Sequence, residues 1–322
     1  MTLPDIESVL SGDSPGCIVC GDCLEVLRDM PDGCVDLVFG SPPYEARRTY
    51  GIGFKLKGQA WVDWMFARVM ESLRICKGLV AFVVEGATDR FSYSGAPMLL
   101  AADLLRAGVT LRKPLAFARV GIPGSGGPDW LRNDWEFILC ATHGGKLPWA
   151  DPKACGHAPT YAPGGEMSYR LTDGTRRNQW GATTQRTAER GVNGSRKPAE
   201  RPGHWFVQTR PRDGMHAQTT PYTPPAIANP GNIIRCKVGG GHMGSKIAHE
   251  NEAPFPQSLA EFMIRTFCPP GGIVLDPFVG SGTTAAAAVA AGRRYVGIDI
   301  REGQVEWARR RVAGVQKGLF DE

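Results

Sequence analysis

The stretch that most constrains the fold runs from Ile273 to Asp299. Ile273-Val-Leu-Asp276 is a short apolar strand closing on a carboxylate, and Pro277-Phe-Val-Gly-Ser-Gly-Thr-Thr284 turns it into an alanine-rich helix that Gly292 ends. Arg294 to Ile298 is the next strand, closing on Asp299. A strand, a glycine turn, a helix and a second strand ending on an acid form the unit that holds a ribose by its hydroxyls. The same residues satisfy a dinucleotide fingerprint, with Gly280-Ser-Gly282-Thr-Thr-Ala285 as the turn and Asp299 as the ribose acid. A lone match of that kind is weak in a chain with 41 glycines. Asp276 separates the readings, because an acid at the strand end serves a pyrophosphate poorly and suits a cationic ligand.

A second constellation lies near the other end. Val35 to Phe39 is an almost continuous apolar run, the form of a strand covered on both faces, and it stops at Gly40. Ser41-Pro42-Pro43-Tyr44 follows. Each proline fixes its own φ and keeps the residue before it extended, so no following helix consumes the carbonyls there. Acceptors and an aromatic ring then sit together at a strand's carboxyl end, where open α/β sheets bind ligands. That set suits methylation of a nucleobase's exocyclic amine. Acceptors from Ser41 and the Pro42 carbonyl hold the two N–H hydrogens and free the conjugated lone pair, while Tyr44 stacks on a base taken out of its helix. A proline-stiffened turn or a polyproline ligand is the plainer alternative.

The intervening chain alternates strand and helix. Cys17-Ile-Val-Cys20 reads as a strand, and Leu24, Leu27 and Met30 mark a helix after Asp22, which is either a site acid at a strand end or a helix cap. Trp61 to Ile75 gives a helix whose apolar positions need only core packing, then Leu79–Val84 a buried strand and Met98–Ala107 a helix. Leu115–Val120 and Glu136–Ala141 have no helix between them and predict an antiparallel pair at one edge. The pattern is that of a doubly wound sheet. With no long apolar run and no signal pattern at its N-terminus, the chain is expected to be soluble and cytoplasmic. Nine cysteines without a framework fit reduced thiols; Cys17, Cys20 and Cys23 have ligand-like spacing but no fourth partner, so no metal is expected.

The charge is segregated. Between Lys146 and Arg212 there are twelve Lys or Arg against five Asp or Glu, in a chain whose whole net charge is +5. From about Gly144 aliphatic residues thin out, while Trp149, Trp180 and Trp205 punctuate Arg170, Arg176, Arg177, Arg186, Arg190 and Arg210. Basic and aromatic residues interleaved in this way predict phosphate and base contact, against a plain solvated loop. The expected organisation is a catalytic half over 1–143, an inserted basic segment over 144–231 for target recognition, and a cofactor half over 232–322.

In that order the motifs resemble the DNA amino-methyltransferases of the β arrangement. Ser41-Pro-Pro-Tyr44 is similar to their catalytic motif and Asp276-Pro-Phe-Val-Gly-Ser-Gly-Thr-Thr284 to their cofactor loop, while Gly21-Asp22-Cys23, Val296-Gly-Ile-Asp299, Asn133-Asp-Trp-Glu136 and Ala253-Pro-Phe-Pro256 match lesser motifs. The resemblance implies a mostly parallel, seven-stranded Rossmann-like methyltransferase sheet in permuted order. It implies S-adenosylmethionine as cofactor, with Asp299 on the ribose, Asp22 on the adenine amine, and Phe278 and Phe255 on the adenine faces. Asp276, Gly280, Ser281, Gly282 and Thr283 would line the methionine end. The partner is double-stranded DNA with a flipped base, in the setting of a restriction-modification system; a cognate nuclease and a homodimer stay open. Members with Ser at the first motif position usually modify cytosine N4, those with Asp adenine N6, so N4-cytosine is expected and N6-adenine is the alternative. A nicotinamide oxidoreductase and a DNA-binding module without catalysis are the readings from other classes.

Overall fold

The structure, a computed structural model, describes residues 3–45, 53–121, 127–159, 226–239, 242 and 255–320. In chain order its elements are α1 (Leu3–Ser11), β1 (Gly16–Cys20), α2 (Cys23–Asp29), β2 (Val35–Gly40), α3 (Gln59–Ile75), β3 (Cys76–Val84), the short strands β4 (Thr88–Asp89) and β5 (Ser92–Tyr93), α4 (Ala96–Arg106), β6 (Thr110–Leu111), β7 (Leu115–Val120) and β8 (Trp135–Thr142). Then come β9 (Ile233–Lys237), α5 (Gln257–Phe267), β10 (Ile273–Asp276), α6 (Thr283–Ala290), β11 (Arg294–Asp299) and α7 (Glu302–Phe320).

The main sheet runs β1-β11-β10-β2-β3-β8-β7-β9, with β6 beside β8. From β1 to β3 all neighbours are parallel. β8 is antiparallel to β3 and β7 to β8, which is the expected helix-free pair, but that pair does not form the edge. β9 pairs parallel with β7 outside it. The seven long strands expected from the sequence are therefore joined by β9 and the two-residue β6, making nine. Sequence neighbours did not reveal this, because β9 reaches β7 from more than a hundred residues away in the chain.

The permuted order has a physical signature in the core. β10 enters between β11 and β2, where the Ile273 amide donates to the Asp36 carboxylate at 2.8 Å across a separation of 237 residues. Strand residues alternate between two packed layers. Val80, Phe82 and Leu275 meet Ile6, Leu27, Trp61, Met65 and Leu100 of the first four helices. Leu79, Ala81 and Val274 meet Met263, Ala287 and Ala308 of the last three on the opposite face. β10 leads outward to β11 and β2 leads the other way to β3, so the crossovers diverge between β10 and β2 and open a crevice at their carboxyl ends.

Met1–Cys155 and Asn229–Glu322 form one compact unit and Gly156–Ala228 a second. Of the second, the described residues show a bridge in which His157 and Ala228 exchange backbone hydrogen bonds at 3.3 and 2.8 Å. The basic stretch from Arg170 to Arg212, with Trp180 and Trp205, lies outside the described residues. Among the described residues no helix is long and apolar enough to cross a membrane.

Candidate active site

The two strand ends singled out by sequence are neighbours. β2 and β10 pair at Leu37–Val274 and Val38–Leu275, and just beyond that pairing the Asp276 side chain reaches across to Gly40. A Cβ on Gly40 would lie 2.2 Å from Asp276 Oδ1, so a glycine is required there by close approach of the carboxylate. Ser41 follows directly. Its Oγ is 3.2 Å from the Val83 carbonyl and 3.3 Å from the Tyr44 hydroxyl. The Tyr44 hydroxyl donates to Glu136 Oε2 at 2.8 Å, and Glu136 Oε1 pairs with Arg119 at 3.1 Å. Val83 and Tyr44 both present acceptors to the Ser41 proton, so the Ser41 lone pairs remain able to receive a further N–H. The Trp61 indole donates to the Pro43 carbonyl at 2.9 Å, tying the prolines to α3.

The turn between β10 and α6 is held by the two acids that flank the unit. Asp276 is buried, accepts from the Phe278 amide at 2.9 Å, and is pushed by that burial up to about 7. Asp299 accepts from the Gly280 amide at 3.0 Å and the Arg301 amide at 2.9 Å, and burial raises its pKa too. Gly280 and Gly282 have φ of 50° and 84°, the left-handed region open to glycine, and a Cβ on Gly282 would strike Ala308 of α7 at 2.9 Å. Ser281 Oγ is buried with no hydrogen-bond partner among the described residues. Thr283 opens α6 and receives a hydrogen bond at 2.8 Å from the buried Arg311, whose guanidinium also reaches Gln257 at 3.3 Å. Arg311 thereby joins the glycine turn to the start of α5.

Asp22 joins this edge through β1, since Cys20 pairs with Asp299 and the Gly21 amide donates to the Asp299 carbonyl at 3.0 Å. Both local readings of Asp22 hold at once. It caps α2 by accepting from the Leu24 amide at 2.7 Å, and it faces Arg68, whose Nη2 is 3.1 Å from each carboxylate oxygen. The Arg68 guanidinium lies over the Trp64 ring at 3.9 Å, and Trp64 and Phe82 each flank Phe278 at centroid distances of 5.8 and 6.0 Å. Phe255 packs edge-on against Phe39 at 5.4 Å, in the layer across the sheet. Phe278 and Phe255 thus approach the same carboxyl edge from opposite faces. Burial pushes the Cys17 and Cys23 thiols up to about 12; Cys23 packs in the core and Cys17 against it.

Several residues of the site escaped sequence reasoning. Trp64 and Arg68 were indistinguishable from the packed face and the solvated face of a helix, although their i, i+4 spacing places them side by side. Glu45, next to Tyr44, is 1% exposed and accepts from the Gly58 amide, the Ser94 hydroxyl and the Ala87 amide, the last at 2.9 Å. Its identity as a buried clamp had no signal beyond its position. Glu136 belonged to a matched motif but had no assigned partner.

A DNA methylase family model matches residues 35–310. Along 95% of this chain and 85% of its own length, the DNA adenine methyltransferase YhdJ of Escherichia coli (strain K12) is 23% identical. Matches near 40% identity are local: the orphan methyltransferase M.BamHII of Bacillus amyloliquefaciens is 40% identical over 79 residues, which are 24% of this chain and 30% of M.BamHII. Among solved structures, the cytosine-N4-specific PvuII DNA methyltransferase superposes with a TM-score of 0.60 at 16% identity, covering 94% of this chain and 91% of that one. TTHA0409 of Thermus thermophilus, complexed with S-adenosyl-L-methionine, gives 0.53 at 21% identity over 93% and 94%.

Proposed function

The chain belongs to the DNA methylase family, and from that membership and the geometry of its site we propose that it transfers a methyl group from S-adenosylmethionine to the N4 amine of a cytosine flipped out of duplex DNA. One observation carries the reading: Ser41-Pro-Pro-Tyr44 and the Asp276–Thr283 turn occupy adjacent strand ends, brought into contact at Gly40.

The residues present fit that cofactor. Ser281 Oγ is a buried polar atom still lacking a partner among the described residues, and Asp276 is a buried carboxyl suited to a neighbouring cation. Asp276, Gly280, Ser281, Gly282 and Thr283 would hold the methionine end, Asp299 the ribose, Asp22 the adenine amine, and Phe278 and Phe255 the adenine faces. S-adenosylmethionine supplies an electrophilic methyl group on a sulfonium when bound. The chain's own part is to orient the nitrogen that attacks it. Ser41 Oγ and the Pro42 carbonyl accept the two amine hydrogens, drawing the nitrogen lone pair out of conjugation. Tyr44, its hydroxyl fixed by Glu136 and Arg119, offers its ring to the base face. Positioning of this kind supplies most of the rate when no covalent intermediate is formed.

Ser41 favours cytosine as the target. Ser at this position usually accompanies cytosine N4 as the target in the enzymes the motifs resemble, and with the Val83 carbonyl and the Tyr44 hydroxyl available to its proton, Ser41 can meet the base as a neutral acceptor. The near full-length similarity to YhdJ favours a second reading, in which adenine N6 is the acceptor. The inserted segment over 144–231 serves target recognition in either case, and names such as Type II methyltransferase M.ScaI among its relatives make a cognate nuclease part of the proposal.

Incubation with S-adenosylmethionine and unmethylated mixed-sequence DNA, followed by nuclease digestion and mass spectrometry, tests the base. N4-methylcytosine is expected, and Tyr44→Ala should abolish its formation while leaving cofactor binding intact. N6-methyladenine as the sole product overturns the cytosine assignment, and neither product overturns the methyltransferase. Methylation-sensitive sequencing of the same DNA identifies the recognition sequence.

A further inference from the structure

A small hairpin stands beside the catalytic motif. β3 ends at Val84, whose neighbour Val83 engages Ser41, and the chain then forms β4 and β5, paired at Thr88–Tyr93 and Asp89–Ser92. The base of the hairpin is fixed to Glu45, the residue after Tyr44, by the Ala87 amide and the Ser94 hydroxyl. The Ser94 amide closes the pair onto the Ala87 carbonyl at 2.8 Å. Tyr93 packs across Gly86, where a Cβ would come within 2.7 Å of its ring.

The tip is built against local preference. Arg90 and Phe91 form a two-residue turn with φ of 46° and 66°, and they are the non-glycine residues of positive φ among the described residues. Two-residue hairpins of this hand select Asn-Gly, because the left-handed region crowds any larger side chain. The strained position is given to phenylalanine, and Phe91 is 79% exposed. Neither strand pairing nor core packing accounts for an aromatic there, whereas strain at such a place commonly accompanies function. Asp89 adjoins Arg90, so the tip has no net charge and is not a phosphate-attracting patch.

We propose that this tip is a DNA wedge: Phe91 enters the duplex at the target base pair and stacks in the space the flipped base leaves. The inference rests on the methyltransferase reading and adds a role that the catalytic motif does not fill. Tyr44 receives the base outside the helix, and Phe91 compensates for the stack broken inside it. The shared anchor at Glu45 keeps the two aromatic groups in fixed relation.

Single-turnover methyl transfer, on a duplex carrying the recognition sequence found as above, compares an intact target pair with a target opposite an abasic site. The abasic site loosens the target beforehand. Phe91→Ala should slow transfer about tenfold on the intact duplex and leave it near the parent rate on the abasic one, with Phe91→Trp retaining the parent rate on both. Cofactor affinity and the salt dependence of DNA binding should not change, because no charge is removed. Equal slowing on both duplexes, or none on either, overturns the wedge; the latter leaves the exposed ring as a contact for some other partner. Failure of the parent protein to methylate either duplex counts against the methyltransferase reading instead.

Discussion

At the scale of single residues, a buried carboxyl responds to any charge placed beside it. Asp276 has a value of about 7 in place of its ordinary 3.8, with burial the leading cause and the charge of Asp299 adding to it. Between those two values the folded chain keeps a proton that the unfolded chain has released. Asp276 therefore lowers stability progressively as pH rises from 3.8 toward about 7, and the penalty levels off above that. A cationic ligand reverses the balance, since it favours the ionised carboxylate. S-adenosylmethionine affinity should accordingly strengthen as pH rises through about 7, by at most about tenfold per pH unit, and Asp276→Asn should bind more weakly with that rise removed. Calorimetry from about pH 6 to about pH 8 on both proteins measures it. A parent affinity that tracks the variant's pH profile would remove Asp276 from the cation's surroundings.

Among the elements, the contact between β2 and β10 is the one on which the site depends. Gly40 carries no unusual φ, so its requirement is purely one of space, and Gly40→Ala must drive the strands apart or displace Asp276. Overpacking of that kind costs about 1–3 kcal/mol. Thermal unfolding should show the loss and calorimetry a matching loss of cofactor binding. Gly314 in α7 is the contrast, with nothing within 4 Å of a Cβ there; Gly314→Ala should raise stability by up to about 1 kcal/mol and leave binding unchanged. An unaltered melting temperature for Gly40→Ala would mean that the strands yield without strain. The same glycines explain a gap in the sequence reading. Gly303, Gly314 and the many charges of α7 weaken its helical signal, although Val305, Ala308 and Val312, spaced i, i+3 and i+7, form a buried stripe.

Across the whole molecule, the chain's two ends build one sheet and leave the basic segment between them. If the charges from Arg170 to Arg212 meet phosphates, replacing them should lower DNA affinity and flatten its salt dependence. Each lost contact should change the log–log slope by about 0.9. Fluorescence anisotropy over a salt series gives the slope, and an unchanged slope at undiminished affinity would make the stretch a solvated loop. This response is opposite in kind to the one expected of Phe91, where flipping suffers and the salt slope does not, so the two proposed contacts with DNA can be read separately.

What the sequence determined was local: strands that end on Gly40, Asp276 and Asp299, the left-handed glycines of the turn, the α2 cap at Asp22, and the order of the motifs. Periodicity, proline and glycine encode such features within a few residues. What only the tertiary structure decided was adjacency. No period in the chain sets β10 beside β2 or β9 beside β7, or brings Arg68 to Asp22, Glu136 to Tyr44 and Ser94 to Glu45. The last three are partnerships of buried and half-buried polar groups whose need is visible only once water has been largely excluded around them, and the fold supplies each partner from a distant part of the chain.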